Sequence, residues 1–249
     1  MNEFPNLFHP PVVEAIFDVQ VIFPKGIELS ALAGLHSHFM NTYPRKEEQR
    51  VVEFEFHQGE GQMSESRTRD HGITGYRFLS GDGVELVQCR RDGFTFNRLK
   101  PYTDWQDAFR KAVHAWTVYQ EAFPQAQVTR VALRYINLIE VLANTPTLDL
   151  SEYFSVSVPG PHLTGVASTG FMSQGVLHDE NTNLDANWIF ARQPSTDPSK
   201  IVVALDVDVY AQGTRVSDMA VNQWWEVMRN LKNRLFFGSL TQKGIKLFQ

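Results

Sequence analysis

The chain has 249 residues, of which 43% are hydrophobic, 12% aromatic and 20% charged, a composition typical of globular proteins that excludes disordered and fibrous classes. Its 23 Lys and Arg residues against 28 Asp and Glu residues give a net charge of -5. This charge provides no electrostatic surface for unassisted nucleic-acid binding, so we expect no nucleic-acid partner.

A single cysteine, Cys89, excludes a disulfide framework and a cysteine-rich zinc or iron–sulfur site. It falls inside a predicted strand, which favours a buried structural thiol over a nucleophile. The acidic, proline-interrupted start of the chain lacks the features of a signal peptide, and no apolar stretch approaches the roughly 20 residues of a membrane helix. These observations predict a cytoplasmic protein without membrane contact.

The first predicted element is a strand at Val12–Phe23, where apolar and polar residues alternate. Apolar residues at helical spacing from Leu32 to Tyr43 then predict a helix that ends before Pro44. A second strand is predicted at Val51–His57. The chain therefore opens with a strand–helix–strand order.

Three strands follow in quick succession and are predicted to form a meander, at Gly75–Leu79, Val84–Arg90 and Phe94–Leu99. The glycine-containing segments between them are hairpin turn signals. Thr103 or Asp104 is then predicted to cap a helix with a stripe of aromatic residues. Such a stripe is typical of core packing rather than of a ligand platform.

The second half contains elements of the same kinds. They are, in chain order, a strand at Val128–Val141, a helical turn at Leu148–Phe154, strands at Gly165–Leu177, Ala186–Arg192 and Lys200–Tyr210, and a helix that Ser217 caps and Gly238 ends.

Because the strands cluster in meanders and do not alternate regularly with helices, the pattern predicts an α+β fold. We expect a mostly antiparallel, curved sheet with long amphipathic helices packed on one face. No Pro/Gly/Ser-rich linker separates the halves, which favours a single domain over residues 1–249. The similar order of elements raises the hypothesis of two pseudo-repeat halves, 1–125 and 126–249.

Established catalytic motifs for nucleotide, hydrolase, zinc-protease and kinase chemistry are absent from the sequence, so no catalytic residue, metal ligand or cofactor is indicated. The candidate binding residues are instead charged positions on predicted strands, namely Glu14, Asp18, Arg134, Asp206 and Asp208. If their three strands are neighbours, these side chains meet on one concave sheet surface. They form either a solvated face with ordinary cross-strand ion pairs or a ligand site.

Two carboxylate pairs have the spacing that places both acids on one strand face, Glu53 with Glu55 and Asp206 with Asp208. Such a pair can hold Mg²⁺ or Mn²⁺ and a phosphate, but it is also routine on exposed strands. The run His178-Asp179-Glu180 contains metal-ligand residue types, although adjacent side chains on a loop diverge. A solvated hairpin is the preferred interpretation of that run.

Several segments together resemble a sporadically distributed bacterial family of uncharacterised proteins, and the resemblance covers nearly the whole chain. In chain order these segments are Pro-Pro-Val-Val-Glu14, the hairpin from Val87 to Asn97, Trp105, Leu133-Arg-Tyr-Ile-Asn137, Leu205-Asp-Val-Asp208, and Leu231-Lys-Asn-Arg-Leu-Phe-Phe237 followed by Ser239 and Thr241. The resemblance implies an intracellular bacterial protein. It supplies no activity, cofactor or site residue.

The favoured functional hypothesis is a non-catalytic protein-binding or accessory module. The last predicted helix carries more large apolar residues than its core face needs, and we interpret Trp224, Trp225, Phe236 and Phe237 as an interface for a protein partner or for self-association as a dimer. The alternative is a metal-dependent phosphate- or nucleotide-processing enzyme that uses the carboxylate and arginine surface of the sheet.

Overall fold

The computed structural model describes residues 4–56, 66–142, 149–157 and 169–249, with the backbone alone for 51–56 and 66–71. The strands are β1 (Val12–Ile22), β2 (Arg45–Phe56), β3 (Ser66–Leu79), β4 (Glu85–Arg90), β5 (Gly93–Leu99), β6 (Gln127–Leu142), β7 (Met172–Asp179), β8 (Leu184–Gln193) and β9 (Lys200–Gln212). The helices are α1 (Leu29–Gly34), α2 (His36–Phe39), α3 (Trp105–Ala122), α4 (Val221–Gly238) and α5 (Gln242–Ile245). Short 3-10 turns lie at Leu150–Glu152, Gly213–Asp218 and Lys246–Phe248.

The nine strands among the described residues form one antiparallel sheet in the order β2-β3-β4-β5-β1-β6-β9-β8-β7. The predicted α+β fold with an antiparallel sheet is confirmed. Strands β1 and β6 pair at the centre and join the two halves of the chain, and the last strand of each half lies beside the first strand of that half. Strands β2 and β7 lie at the two ends of the sheet.

The predicted meander is present as β3, β4 and β5, and Gly83 adopts a positive φ of 75° in the turn between the first two strands. Glycine adopts this backbone conformation without the steric cost that a side chain imposes. The first long helix also begins as predicted, because an Asp104 side-chain oxygen accepts a hydrogen bond from the Asp107 N–H at 2.9 Å. The thiol of Cys89 is fully buried, and burial raises its pKa, as expected for a structural cysteine.

Two helical predictions are wrong in detail. The single helix expected between Leu32 and Tyr43 is instead two short helices, α1 and α2, with a turn at Leu35 that allows both helices to bury apolar side chains. Ser217 does not cap the last helix, because it lies in a 3-10 turn and donates to the Thr214 carbonyl. The N-terminus of α4 is held by the Gln223 side chain, which accepts from the Ala220 N–H at 3.0 Å.

The core is built around aromatic residues of strand β1 and helices α3 and α4. Phe17 is fully buried, and its ring centroid lies 5.5 Å from the Trp105 ring and 5.2 Å from the Trp225 ring. The Trp225 indole N–H also donates to the Ala132 carbonyl at 3.0 Å, which satisfies its polar atom inside the core. The centre of the sheet and α4 are therefore joined by packing and by a hydrogen bond.

The sequence suggested that the last helix carries more large apolar residues than its core face needs, but the chain buries both of its tryptophans. Trp224 is 3% exposed and Trp225 is 0% exposed, because the 3-10 turn before α4 covers Trp224 and accepts its indole N–H at the Val216 carbonyl. Phe236 is also buried, and the ring of the partly buried Phe237 stacks on that of Phe4 at 5.4 Å. These residues pack within the chain, so they do not form the exposed interface that the sequence suggested.

Candidate functional site

Charged side chains of the central strands share the sheet face opposite to Phe17. On β9, Val207 and Val209 are fully buried, whereas the alternating Asp206 and Asp208 point to the other face. The strand register places Asp208 opposite Arg134, because β6 and β9 are neighbours. The predicted meeting of charges on one sheet surface is therefore present.

Arg130 lies at the centre of this polar face and joins two carboxylates. Its Nη1 atom lies 3.3 Å from Asp18 Oδ2, its Nη2 atom lies 2.7 Å from Asp208 Oδ2, and all three side chains are 16–17% exposed. The guanidinium carbon also lies 4.6 Å from the centroid of the Tyr210 ring. Arg130 thus links β1 to β9 across β6.

Asp18 receives a second arginine from the other side. Arg90 Nη2 lies 3.3 Å from Asp18 Oδ1, and Arg90 Nη1 donates to Thr95 Oγ1 at 2.8 Å. Burial raises the pKa of the Asp18 carboxyl more than these two arginines lower it. The carboxylate is therefore held by two cations at a desolvated position.

Arg134 and Asp206 form a separate bidentate pair. Arg134 Nε donates to Asp206 Oδ1 at 2.9 Å, and Nη2 donates to Oδ2 at 2.5 Å. The hydrogen bonds to Asp206 keep the pKa of Arg134 above its ordinary value. The Arg134 side chain is 42% exposed, however, whereas that of Asp206 is 12% exposed, so the pair is open to solvent on the arginine side.

Glu14 is the fifth predicted residue and lies on the same face, where no arginine among the described side chains pairs with it directly. Its Oε1 atom accepts from Asn97 Nδ2 at 2.7 Å, and Asn97 Oδ1 in turn accepts from Gln88 Nε2 at 3.1 Å. All five candidate residues therefore lie on one face, but hydrogen bonds divide them into three groups. Asn97 and Asn187 were missed by sequence analysis, since a lone asparagine in a strand carries no signal of its own.

A cleft of about 480 Å³ opens beside this face, between Arg134, Asp206 and Asp208 on one side and strands β7 and β8 on the other. Asn187 lines it and donates to Asp208 Oδ2 at 3.1 Å. The outer wall belongs to the edge strand and includes Val176. The cleft thus extends from the charged groups to uncharged residues of the edge strand.

The arrangement of carboxylates is poorly suited to a divalent cation. Asp206 and Asp208 each bind an arginine, so their negative charge is already compensated. His178 pairs with Asp185 at 2.8 Å, and Asp179 accepts hydrogen bonds from Thr182 and Arg234. The first two residues of the His178-Asp179-Glu180 run are therefore bound to other side chains. Across the part of the chain that the structure describes, no three His, Cys, Asp or Glu side chains converge as a metal site. The side chains of Glu53 and Glu55 lie outside the described ones.

A second cleft, of about 520 Å³, was not predicted from the sequence. It lies between the N-terminal segment, the residues that precede α3, and one face of α4, and its lining includes Tyr102, Tyr135 and Lys232. The Tyr102 and Tyr135 hydroxyls are 2.9 Å apart. Burial lowers the pKa of Lys232 to about 7, and the nearby Arg229 charge contributes to this shift.

Within the described residues, no helix combines the length and the apolar character that a membrane span requires. Comparison of the sequence with protein-family models and with curated proteins finds no match in either set.

Proposed function

We propose that this chain is a non-catalytic protein-binding module that pairs with a second copy of itself through the edge strand β7. In this arrangement α3 and α4 cover the sheet face to which Phe17 points, since Trp105 and Trp225 both contact its ring. Within the part of the chain that the structure describes, the opposite, polar face and the β7 edge are then open to a partner. The proposal retains the protein-binding hypothesis and moves the interface away from α4.

The observation that carries this proposal is the exposure of apolar side chains on β7. Met172 is 66% exposed, Val176 is 70% exposed and Leu177 is 41% exposed, and the strand lies at one end of the sheet. An edge strand offers backbone N–H and C=O groups for pairing, and natural edges are usually protected by charges, proline or bulges. Residues 172–177 contain neither charge nor proline. This strand is thus suited to strand addition.

The other edge has the opposite character. From 45 to 50, strand β2 is charged at every position except Gln49, and Glu47 and Glu48 form ion pairs there with Arg77 and Arg50. Charged side chains of this kind discourage pairing with another strand. The difference between the two edges favours β7 as the one that recognises a partner.

A second copy fits this edge because β7 is uncharged along most of its length. Antiparallel pairing of β7 with itself places no like charges opposite each other, whereas such charges destabilise cross-strand pairs. A two-fold dimer is also the commonest closed assembly of soluble proteins. The paired arginines and aspartates of the polar face then flank the apolar contact as a fixed polar rim.

Light scattering coupled to size exclusion tests this proposal at micromolar protein concentration. We expect wild type to have twice the mass of the 28.4 kDa chain. Val176→Lys introduces a charge into the paired edge and is expected to give a monomer, whereas Ile22→Lys, at another exposed strand position, is expected to remain a dimer. A monomeric wild type, or a Val176→Lys dimer as stable as wild type, would contradict the proposal.

A further inference from the structure

The cleft beside α4 has aromatic walls and two cations, and none of its lining residues that the structure describes belongs to β7. Its aromatic lining residues come from the N-terminal segment, from the segment that precedes α3, from the start of α3, from β6 and from α4, and they are Phe4, Tyr102, Trp105, Tyr135, Phe236 and Phe237. Its volume of about 520 Å³ is in the range of small-molecule sites. The cations are Arg229 and Lys232, which lie one helical turn apart on α4 and therefore share a face.

Both cations rest on aromatic rings instead of pairing with carboxylates. Lys232 Nζ lies 4.0 Å from the centroid of the Tyr135 ring and donates to Asn233 Oδ1 at 2.5 Å. The guanidinium carbon of Arg229 lies 5.1 Å from the centroid of the Trp105 ring. Among the described side chains, no carboxylate lies within 4.0 Å of either cation.

The other titratable groups of the cleft do not neutralise these two charges. Burial raises the pKa of Tyr102 to about 12 and raises that of Tyr135 as well, so both hydroxyls stay protonated and bond to each other. Asp104 accepts from the Asp107 N–H at the start of α3. Glu226 also lines the cleft, but among the described side chains its carboxylate forms no ion pair with either cation.

Two neighbouring, partly buried cations destabilise the folded chain, and an anion that binds between them reduces this cost. We propose that the cleft binds a small aromatic anion, a carboxylate or a phosphate monoester attached to a planar ring. The anionic group contacts Lys232 and Arg229, and the ring packs against the aromatic walls. Bidentate geometry at arginine suits both carboxylate and phosphate.

Binding of this anion is coupled to a proton. An anion beside Lys232 favours the charged form of the lysine, so the ligand binds with proton uptake near neutral pH. Affinity is therefore highest on the acid side of neutrality and falls as the free lysine loses its proton. A pocket that is only aromatic and apolar has no such dependence.

Isothermal titration calorimetry on the full chain tests this inference with phenyl phosphate and benzoate as probes, benzyl alcohol as the neutral analogue, and inorganic phosphate as the anion without a ring. We expect both aromatic anions to bind at about pH 6 and to bind about tenfold or more weakly at about pH 8.5, with little binding of the other two. Equal binding of benzyl alcohol or of inorganic phosphate, or no binding of either aromatic anion, would overturn the proposal.

Substitutions of the two cations test whether the anion binds in this cleft. Lys232→Gln is expected to weaken binding of phenyl phosphate about 10–100-fold, as loss of a charge-assisted hydrogen bond does. Lys243→Gln is the matched control, because Lys243 also lies over a tyrosine ring but pairs with Glu152 on the surface. Should Lys232→Gln not fold, Arg229→Gln carries the same expectation. Wild-type affinity in a folded Lys232 or Arg229 variant would contradict the site.

Discussion

Arg134 and Asp206 bind each other through two parallel hydrogen bonds on the polar face of the sheet. The pair connects adjacent strands, since Arg134 belongs to β6 and Asp206 to β9. Its half-exposed arginine and largely buried aspartate mean that the two partners are not equivalent. Loss of the arginine leaves a carboxylate at a position that water reaches poorly.

We therefore expect Arg134→Ala to lower the free energy of unfolding by about 1–2 kcal/mol, less than for a fully buried pair because solvent reaches the arginine. Urea denaturation measures this change. Lys200→Ala is the matched control, since it removes an exposed cross-strand pair with Glu140 and is expected to cost at most about 0.5 kcal/mol. Equal effects of the two substitutions would contradict this account of the pair.

Trp225 is expected to matter for stability and not for dimer formation. Trp225→Ala removes a fully buried ring and an indole hydrogen bond, and it should cost about 3–5 kcal/mol of folding free energy. Trp225→Phe keeps most of the packing and allows oligomeric state to be measured on folded protein. If the folded Trp225→Phe variant is a monomer although its β7 sequence is unchanged, α4 takes part in the interface.

Lys232 is expected to make stability depend on pH. Its pKa of about 7 in the folded chain is below the unfolded value of 10.5, so its charged form is disfavoured by folding. This cost is fully present below about pH 7 and disappears as pH rises toward the unfolded pKa. Lys232→Met should therefore stabilise the chain by about 1–3 kcal/mol near pH 6 and much less near pH 10.

Chemical denaturation of wild type and Lys232→Met at both pH values measures the difference directly. Lys243→Met, at a surface lysine, provides the control for general effects of pH and charge. If Lys232→Met is less stable than wild type by the same amount at both pH values, the claim that burial of charged Lys232 costs folding free energy is wrong. If Lys232 is kept for ligand binding at a cost in stability, Lys232→Met should both stabilise the chain and remove binding of the anion.

Divalent metals are expected not to stabilise the protein. Asp206 and Asp208 already bind Arg134 and Arg130, so a cation has to displace an arginine to reach either carboxylate. Melting curves with millimolar Mn²⁺, with Mg²⁺ and with chelator should superimpose. A wild-type shift that is lost in Asp206→Asn/Asp208→Asn would support the metal-dependent enzyme instead, because binding at a hundredfold excess over Kd adds about 2.7 kcal/mol.

The strands and the polar face were predictable from sequence because they depend on local alternation. Asp206 and Asp208 alternate with buried valines, and glycine-containing turns mark the meander near Gly83. Burial of Trp224 was not predictable, because it requires a 3-10 turn that folds back over the ring. Helical spacing alone shows to which side of the helix a residue points, but not which other segment of the chain covers that residue.

The two clefts were missed for a related reason. Lys232 contacts Tyr135, which is distant in sequence, and the cleft wall is completed by Phe4 near the start of the chain. Likewise, Asp18 and Asp208 share Arg130 only because β1, β6 and β9 are adjacent in the sheet. The residue types were visible in the sequence, but their convergence follows from long-range strand order.

Hydrogen–deuterium exchange of the β7 amides at submicromolar and high-micromolar protein concentration tests the proposed strand pairing most directly. Pairing of two β7 edges should slow exchange within Met172–Asp179 as concentration rises, because outward-facing N–H groups become hydrogen-bonded. The protection should be absent from Val176→Lys and present in Ile22→Lys. Exchange of β7 that is equally fast at both concentrations in wild type would contradict the account.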